Sequence, residues 1–247
     1  MSDVKKDMPL WTGLEMVAPM QTRVLGPRVP AVQGVSIDTR TLQAGDLFFA
    51  IRGEANDGHA FVEKAFEKGA AAAVVDEAHA DALKNFGTLF VVHDVLRAME
   101  DFGSAARRRM SGMVVAITGS VGKTSTKEML KGVVDSFGQT HASVASYNNH
   151  WGVPLTLARM PVETSFGIFE IGMNHANEIR PLTKMVRPHV AMITAIAPNL
   201  PDLKHIVVVD GQGANSFDAL LSGPAWETEA DAHAIRSEEH TSELQSH

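Results

Sequence analysis

Met113-Val114-Val115-Ala116-Ile117-Thr118-Gly119-Ser120-Val121-Gly122-Lys123-Thr124-Ser125 runs from a continuous apolar segment, through a turn with two glycines, into a helical pattern. A fully apolar Met113–Ile117 is what a central parallel strand requires, because such a strand is covered on both faces. Thr124–Ser136 reads as the helix that follows. Glycines between a strand and a helix let backbone N–H groups approach phosphate oxygens, and the helix N-terminus adds its positive end. In that setting Lys123 would reach the β- and γ-phosphates of a nucleotide, and the Thr124 hydroxyl would ligate Mg²⁺. The full pattern G-x-x-x-x-G-K-[ST] is not met, because Ile117 stands where its first glycine belongs. The alternative is an ordinary strand–turn–helix junction with a solvated lysine. The flanking strand and helix favour phosphate binding.

Working outward, Phe166–Ile171 and His189–Ala195 are two further buried strands, with a helix expected around Ile179–Val186. On the N-terminal side, a loose Pro-containing start leads to a short strand at Asp46–Ile51. A helix follows at Ala60–Lys68, with Phe61, Ala65 and Phe66 on one face and Gly69 just past its end. Ala72–Val75 and Thr88–Val92 are strand candidates. Val95–Met110 reads as a helix ending in Arg107-Arg108-Arg109, cations suited to a helix C-terminus. Strands alternating with helices give an α/β fold: a small α/β domain over 1–110, then a second, mostly parallel sheet from 111. Beyond Pro198 the texture changes to Gly, Ser and acidic residues, without a clean continuation.

The 247 residues are 45% hydrophobic and 21% charged, and they include no Cys. That excludes disulfides and thiolate metal sites and makes a cytoplasmic enzyme the default expectation. Apolar runs such as Met113–Ile117 and Ile206–Val209 are far too short to span a bilayer, and Met1–Asp7 has no apolar signal core, so no membrane insertion is expected. The net charge of −7 is unevenly placed: residues 1–198 carry 20 basic and 20 acidic side chains, residues 199–247 carry 2 and 9. A balanced body gives no support for nucleic-acid binding.

Several stretches carry a family resemblance. Thr118–Met129 (TGSVGKTSTKEM) resembles the ATP loop of the Mur ligases, which build the peptide stem of the bacterial cell wall. Val35–Arg40 (VSIDTR), Gly45–Ala50 (GDLFFA), Gly53 and Asp57-Gly58-His59 are similar to that family's uridine-nucleotide-binding domain. Ser146–Thr156 (SYNNHWGVPLT) and Phe169–His175 (FEIGMNH) resemble its central ATPase domain. The resemblance spans about residues 10–198. Within the family, K-E-M after the loop paired with the E-[IL]-G-x-N-H pattern points to the branch that joins D-alanyl-D-alanine to a UDP-N-acetylmuramoyl-tripeptide. A neighbouring branch, which adds the third stem residue, is the alternative, as is a nucleotide-binding module without turnover.

The resemblance implies that ATP phosphorylates the terminal carboxylate of the tripeptide and that the amine of D-alanyl-D-alanine attacks the acyl phosphate. It implies ATP and Mg²⁺ as cofactors and a monomeric enzyme. Lys123 would stabilise the transferring phosphoryl group, and Thr124 and Glu170 would hold magnesium. Glu170 closes a strand at the carboxyl edge of the sheet, where α/β ligands bind; its alternative is a solvated strand-end carboxylate. Asn148 and Asn149 would contact ATP, although Asn pairs also make turns. His175 either contacts nucleotide and positions Glu170 or packs as a helix cap. Ser36, Asp38, Thr39 and Arg40 would hold the uridine-diphosphate end of the substrate, Arg40 through its fork of donors. The alternative for Asp38 and Arg40 is a mutual i, i+2 pair on a strand face. Asp57 and His59 either touch substrate or form a turn with a helix cap.

The chain also departs from the family. After the His189–Ala195 strand the family carries A-H-[LIV]-x-x-[FL]-G and A-K-x-E-[IL], which supply a metal-ligating His and a carbamylated Lys. Here Ile196–Leu203 reads IAPNLPDL. The central domain over 111–198 is therefore expected to be truncated, and 199–247 to be a non-family tail. Leu200–Ser222 distantly resembles part of an acyl-adenylate-forming ligase. Arg236–His247 (RSEEHTSELQSH) resembles a translated sequencing-adapter oligonucleotide. On this reading the chain binds nucleotide without turning over.

Overall fold

The computed structural model describes residues 8–29, 31–53, 56–144, 147–172, 178–194 and 205–208. They form two units. Met1–Ala106 with Leu157–Val162 makes the first, Arg107–Thr156 with Glu163–His247 the second.

The first unit opens with β1 (Trp11–Thr12), α1 (Gly13–Met20), β2 (Arg23–Leu25), β3 (Ala31–Val32), β4 (Gly34–Ser36) and β5 (Asp46–Phe49). A 3-10 turn, Gly58–Phe61, leads into α2 (Val62–Glu67), followed by β6 (Ala72–Asp76), α3 (Glu77–Leu83), β7 (Leu89–Val92) and α4 (Val95–Arg109). The sheet order is β2-β7-β6-β5-β4, parallel from β4 to β7, with β2 antiparallel at one edge. Every residue of β5 and β7 is buried, as strands covered on both faces must be. Phe48, Ala65, Ala73, Val75, Leu89 and Val91 share one apolar cluster. Phe102 of α4 meets Trp11 at 4.1 Å and Phe49 at 6.0 Å between ring centroids.

The N-terminus departs from the expected loose start. The Glu15 carboxylate accepts 2.8 Å hydrogen bonds from both the Thr12 N–H and the Thr12 hydroxyl, and α1 begins there. Pro19 removes one intrahelical donor, and the helix stops two residues later at Gln21, in the left-handed region at φ 50°. A short helix with Pro in its last turn leaves little periodicity to read.

The second unit continues with β8 (Met113–Thr118), α5 (Lys123–Val134), β9 (Thr140–Ala142), α6 (Gly152–Ala158), β10 (Phe166–Glu170), α7 (Ile179–Val186), β11 (Val190–Ile193) and β12 (His205–Val208). The order is β12-β11-β8-β10-β9, parallel from β9 to β11. The chain leaves β8 on one side for β9 and β10, then returns to its other side as β11. The carboxyl end of β8 is therefore a topological switch point, where open α/β sheets bind ligands. β12 pairs antiparallel with β11, Val190 opposite Val208. The segment beyond 198, expected to bring no clean continuation, thus supplies the edge strand. Its apolar, β-branched Ile206-Val207-Val208 suits that position. Among the described residues no helix is long and apolar enough to cross a membrane.

Candidate functional site

In the second unit the loop after β8 sits at the switch point. Gly122 is the N-cap of α5 with φ 87°, a left-handed conformation that glycine adopts without a Cβ clash. Lys123 opens the helix and is buried, its Nζ donating to the Gly119 carbonyl at 2.6 Å. Thr118 donates through its hydroxyl to the Ile171 carbonyl at 3.0 Å, fixing the loop's start against the strand beside it. The Thr194 hydroxyl donates to the Val121 carbonyl at 2.5 Å, holding the loop from the β11 side. Ser120 is half-buried, whereas Val121, Gly122, Thr124 and Ser125 are exposed.

Glu170, the last residue of β10, is 2% exposed. Its Oε2 accepts from the Thr124 hydroxyl and its Oε1 from Asn148 Nδ2, both at 3.0 Å. Strand end and helix start thus place an acid and a hydroxyl face to face beside Lys123. Asn149 turns elsewhere: its Oδ1 accepts from the N–H groups of Trp151 and Gly152 at 3.2 and 2.9 Å, capping α6. His175 lies outside the described residues. Backbone donors at a glycine turn, a helix N-terminus, a lysine and a hydroxyl facing a carboxylate form a set suited to a phosphate accompanied by a hard divalent cation.

Two residues here escape sequence reading. Lys127 is fully buried and donates to the Ser143 carbonyl at 2.8 Å, with the Glu128 carboxylate 3.1 Å from its Nζ. Ser143, also buried, accepts the Glu170 N–H on its Oγ at 3.2 Å. The available signal was spacing: Lys127 follows Lys123 by four residues, so both occupy one helix face.

In the first unit the expected substrate residues follow the carboxyl ends of adjacent parallel strands. Ser36 ends β4, buried, and its hydroxyl donates to the Asp38 carbonyl at 3.1 Å. Asp38 and Arg40 lie in a turn past the strand, joined by two-pronged guanidinium–carboxylate contacts of 2.6 to 3.0 Å. The Arg40 hydrogen bonds hold the Asp38 carboxyl below its ordinary range. Thr39 is buried, and its carbonyl accepts from Lys68 Nζ at 2.6 Å.

Asp57 and His59 belong to a wider cluster. The His59 ring is buried, with Nδ1 2.6 Å from Asp57 Oδ1 and Nε2 accepting the Asp76 N–H at 3.1 Å. The second contact fixes the tautomer: the proton sits on Nδ1, facing Asp57. His79 stacks on His59 at 4.0 Å and binds Asp76 Oδ1 through Nδ1 at 2.6 Å. Partial burial pushes Asp57 up, but the His59 N–H, the His59 ring and Arg52 outweigh it and hold its pKa at about 2. Asp76 is likewise held low: burial opposes, and the hydrogen bonds from the His79 ring and N–H prevail. Asp57, His59 and His79 bring ligand-type atoms within 4.8 Å of one another. Both nitrogens of His59 are engaged, and stacked rings direct their lone pairs along parallel planes, so hydrogen bonding accounts for this cluster. Asp76, His79 and Arg52 were missed in the sequence; Asp76-x-x-His79 at a strand end is N-cap spacing.

Comparison with known proteins agrees with both units. Residues 31–109 match the Mur ligase family catalytic domain, and residues 117–199 match the Mur ligase middle domain. The chain is 38% identical over 165 residues to the UDP-N-acetylmuramoyl-tripeptide–D-alanyl-D-alanine ligase of Synechocystis, covering 67% of this chain and 36% of that relative. A crystal structure of MurF from Acinetobacter baumannii superposes with a TM-score of 0.68 at 33% identity, covering 77% of this chain and 42% of that one. The MurF ligase of Thermotoga maritima in complex with ADP aligns at TM-score 0.55 and 25% identity, covering 67% of this chain and 38% of that one. The chain thus spans somewhat over a third of the curated relative. With consecutive domains matched over about two-thirds of its length, it belongs to the Mur ligase family.

Proposed function

We propose that the chain forms the substrate-presenting and ATP-binding part of a cytoplasmic, monomeric ligase that adds D-alanyl-D-alanine to UDP-N-acetylmuramoyl-tripeptide. The observation that carries this reading is the Thr124–Glu170 contact beside Lys123, a phosphate loop completed by an acid from the neighbouring strand. The names of the relatives supply the substrates.

Amide formation from a carboxylate needs activation: the γ-phosphoryl group of ATP moves to the tripeptide carboxylate, releasing ADP. The incoming amine then displaces phosphate from that acyl phosphate. This chemistry calls for positioning and charge neutralisation rather than a protein nucleophile. Lys123 leaves the Gly119 carbonyl and pairs with the β- and γ-phosphates. The N–H groups of the loop and the first turn of α5 take the remaining oxygens. Thr124 and Glu170 would hold magnesium, which when bound would neutralise charge on the transferring group. Asn148 keeps the Glu170 carboxylate turned toward Thr124. In the first unit, Ser36, Asp38, Thr39 and Arg40 take the uridine-diphosphate end, with Asp57 and His59 fixing the turn beside them.

Calorimetric titration with ATP and Mg²⁺ tests the loop. Lys123→Ala is expected to weaken binding at least about tenfold, the loss of one charge-assisted phosphate contact; unchanged affinity sinks the assignment. In a phosphate-release assay the chain by itself is expected to bind nucleotide without turnover, and release that requires both UDP-tripeptide and D-alanyl-D-alanine would overturn that expectation while establishing the substrates.

A further inference from the structure

We infer that Lys127 is a positioning residue for the metal-side carboxylate, acting on Glu170 through Ser143; the inference rests on the phosphate-loop reading. Lys127 lies one turn after Lys123 in α5, at a position with no solvent exposure, where an apolar side chain would ordinarily pack better. Desolvating an ammonium is costly, so its retention calls for a specific gain. Its Nζ donates to the Ser143 carbonyl at 2.8 Å. Ser143 follows β9 and is tied to β10 twice. Its N–H donates to the Ile168 carbonyl at 3.1 Å, and its Oγ accepts the Glu170 N–H at 3.2 Å. The lysine therefore ties the helix bearing Thr124 to the strand end bearing Glu170. Both halves of the Thr124–Glu170 pair hang on one relay: helix α5, Lys127, Ser143, Glu170.

The relay assigns different work to the two lysines of α5. Lys123 faces the loop carbonyl and serves phosphate directly. Lys127 faces the β9 exit and sets the spacing of hydroxyl and carboxylate, the two groups that would hold a divalent cation. Removing Lys127 should therefore affect the magnesium-dependent part of nucleotide affinity and spare the metal-free part.

The test measures ATP affinity of the full chain by calorimetry with Mg²⁺ and with EDTA, for Lys127→Met, Lys127→Arg and Ser143→Ala, beside Lys123→Ala. The gain in affinity that Mg²⁺ confers is expected to fall at least about fivefold in Lys127→Met and about threefold in Ser143→Ala, as expected for a displaced supporting contact. Metal-free affinity should stay within about twofold, and Lys127→Arg should recover most of the gain because it keeps a charged donor. If Lys127→Met loses its cooperative melt, Lys127→Gln, which keeps a polar end and removes the charge, decides in its place, and Ser143→Ala tests the hydroxyl link to Glu170, since alanine keeps the carbonyl that Lys127 bonds. A full Mg²⁺ gain in the folded variants overturns the inference, and so does an equal loss with and without metal. ATP binding that Lys123→Ala leaves intact overturns the loop reading instead, whatever the Lys127 variants do.

Discussion

Asp57 receives three donors: the His59 N–H at 3.0 Å, the His59 ring at 2.6 Å and Arg52 Nε at 3.0 Å. Its pKa of about 2, against an ordinary 3.8, makes the ionised form the one that stabilises the turn. A depressed carboxyl contributes its full stability above the unfolded value and loses it as pH falls toward the folded one. Unfolding by urea should therefore show a gap between the natural chain and Asp57→Asn of on the order of 1 kcal/mol, discounted for partial exposure. That gap should hold above about pH 5 and close between about pH 4 and 2, the span set by the two pKa values. A gap independent of pH would mean that the donors do not favour the charged form.

The elements divide sharply in how far the sequence revealed them. The run from Met113 to Val134 was legible because its apolar strand is uninterrupted and two glycines mark the turn. Gly58 was less so. A Cβ there would stand 2.6 Å from the Ala50 carbonyl carbon and 2.7 Å from the Ile51 nitrogen, so the turn after β5 closes only around glycine. Gly58→Ala is expected to cost about 1–3 kcal/mol, a backbone overpacking that cannot be relieved by a rotamer change. A melting temperature within about a degree of the natural chain would refute it. The sequence did not reveal α1, whose start depends on a Glu15 side chain reaching back to Thr12. Nor did it reveal β9, three residues of mixed polarity recruited by β10. In the site, Glu170 and Thr124 could be paired from strand end and loop. Lys127 could not, because a charged residue on a helix reads as solvated until the fold shows which face is covered. Asn149, a ligand candidate on the sequence, caps α6, a role to which the short Asn side chain is well suited.

At the scale of the whole chain, the charge and the edge strand separate. Residues 1–208 carry 21 basic and 21 acidic side chains, and residues 209–247 carry the entire −7. Ending the chain after Val208 is therefore expected to bring the net charge to zero and leave the melting temperature within about two degrees, since no described element is removed. Ending it after Thr194 removes β12 and bares the backbone of β11. The expected result is concentration-dependent association on size exclusion that the Val208 chain does not show. Identical elution of the two would mean that β12 does not protect the sheet.

The antiparallel sense of β12 has a wider meaning. A parallel neighbour must be reached by a long crossover, usually helical, whereas eleven residues separate Ile193 from His205, enough only for a return. Backbone pairing of this kind does not inspect ancestry. β11 presents a row of amides that takes up whichever extended, β-branched segment comes within reach, so reach and strand-forming tendency decide what completes the sheet.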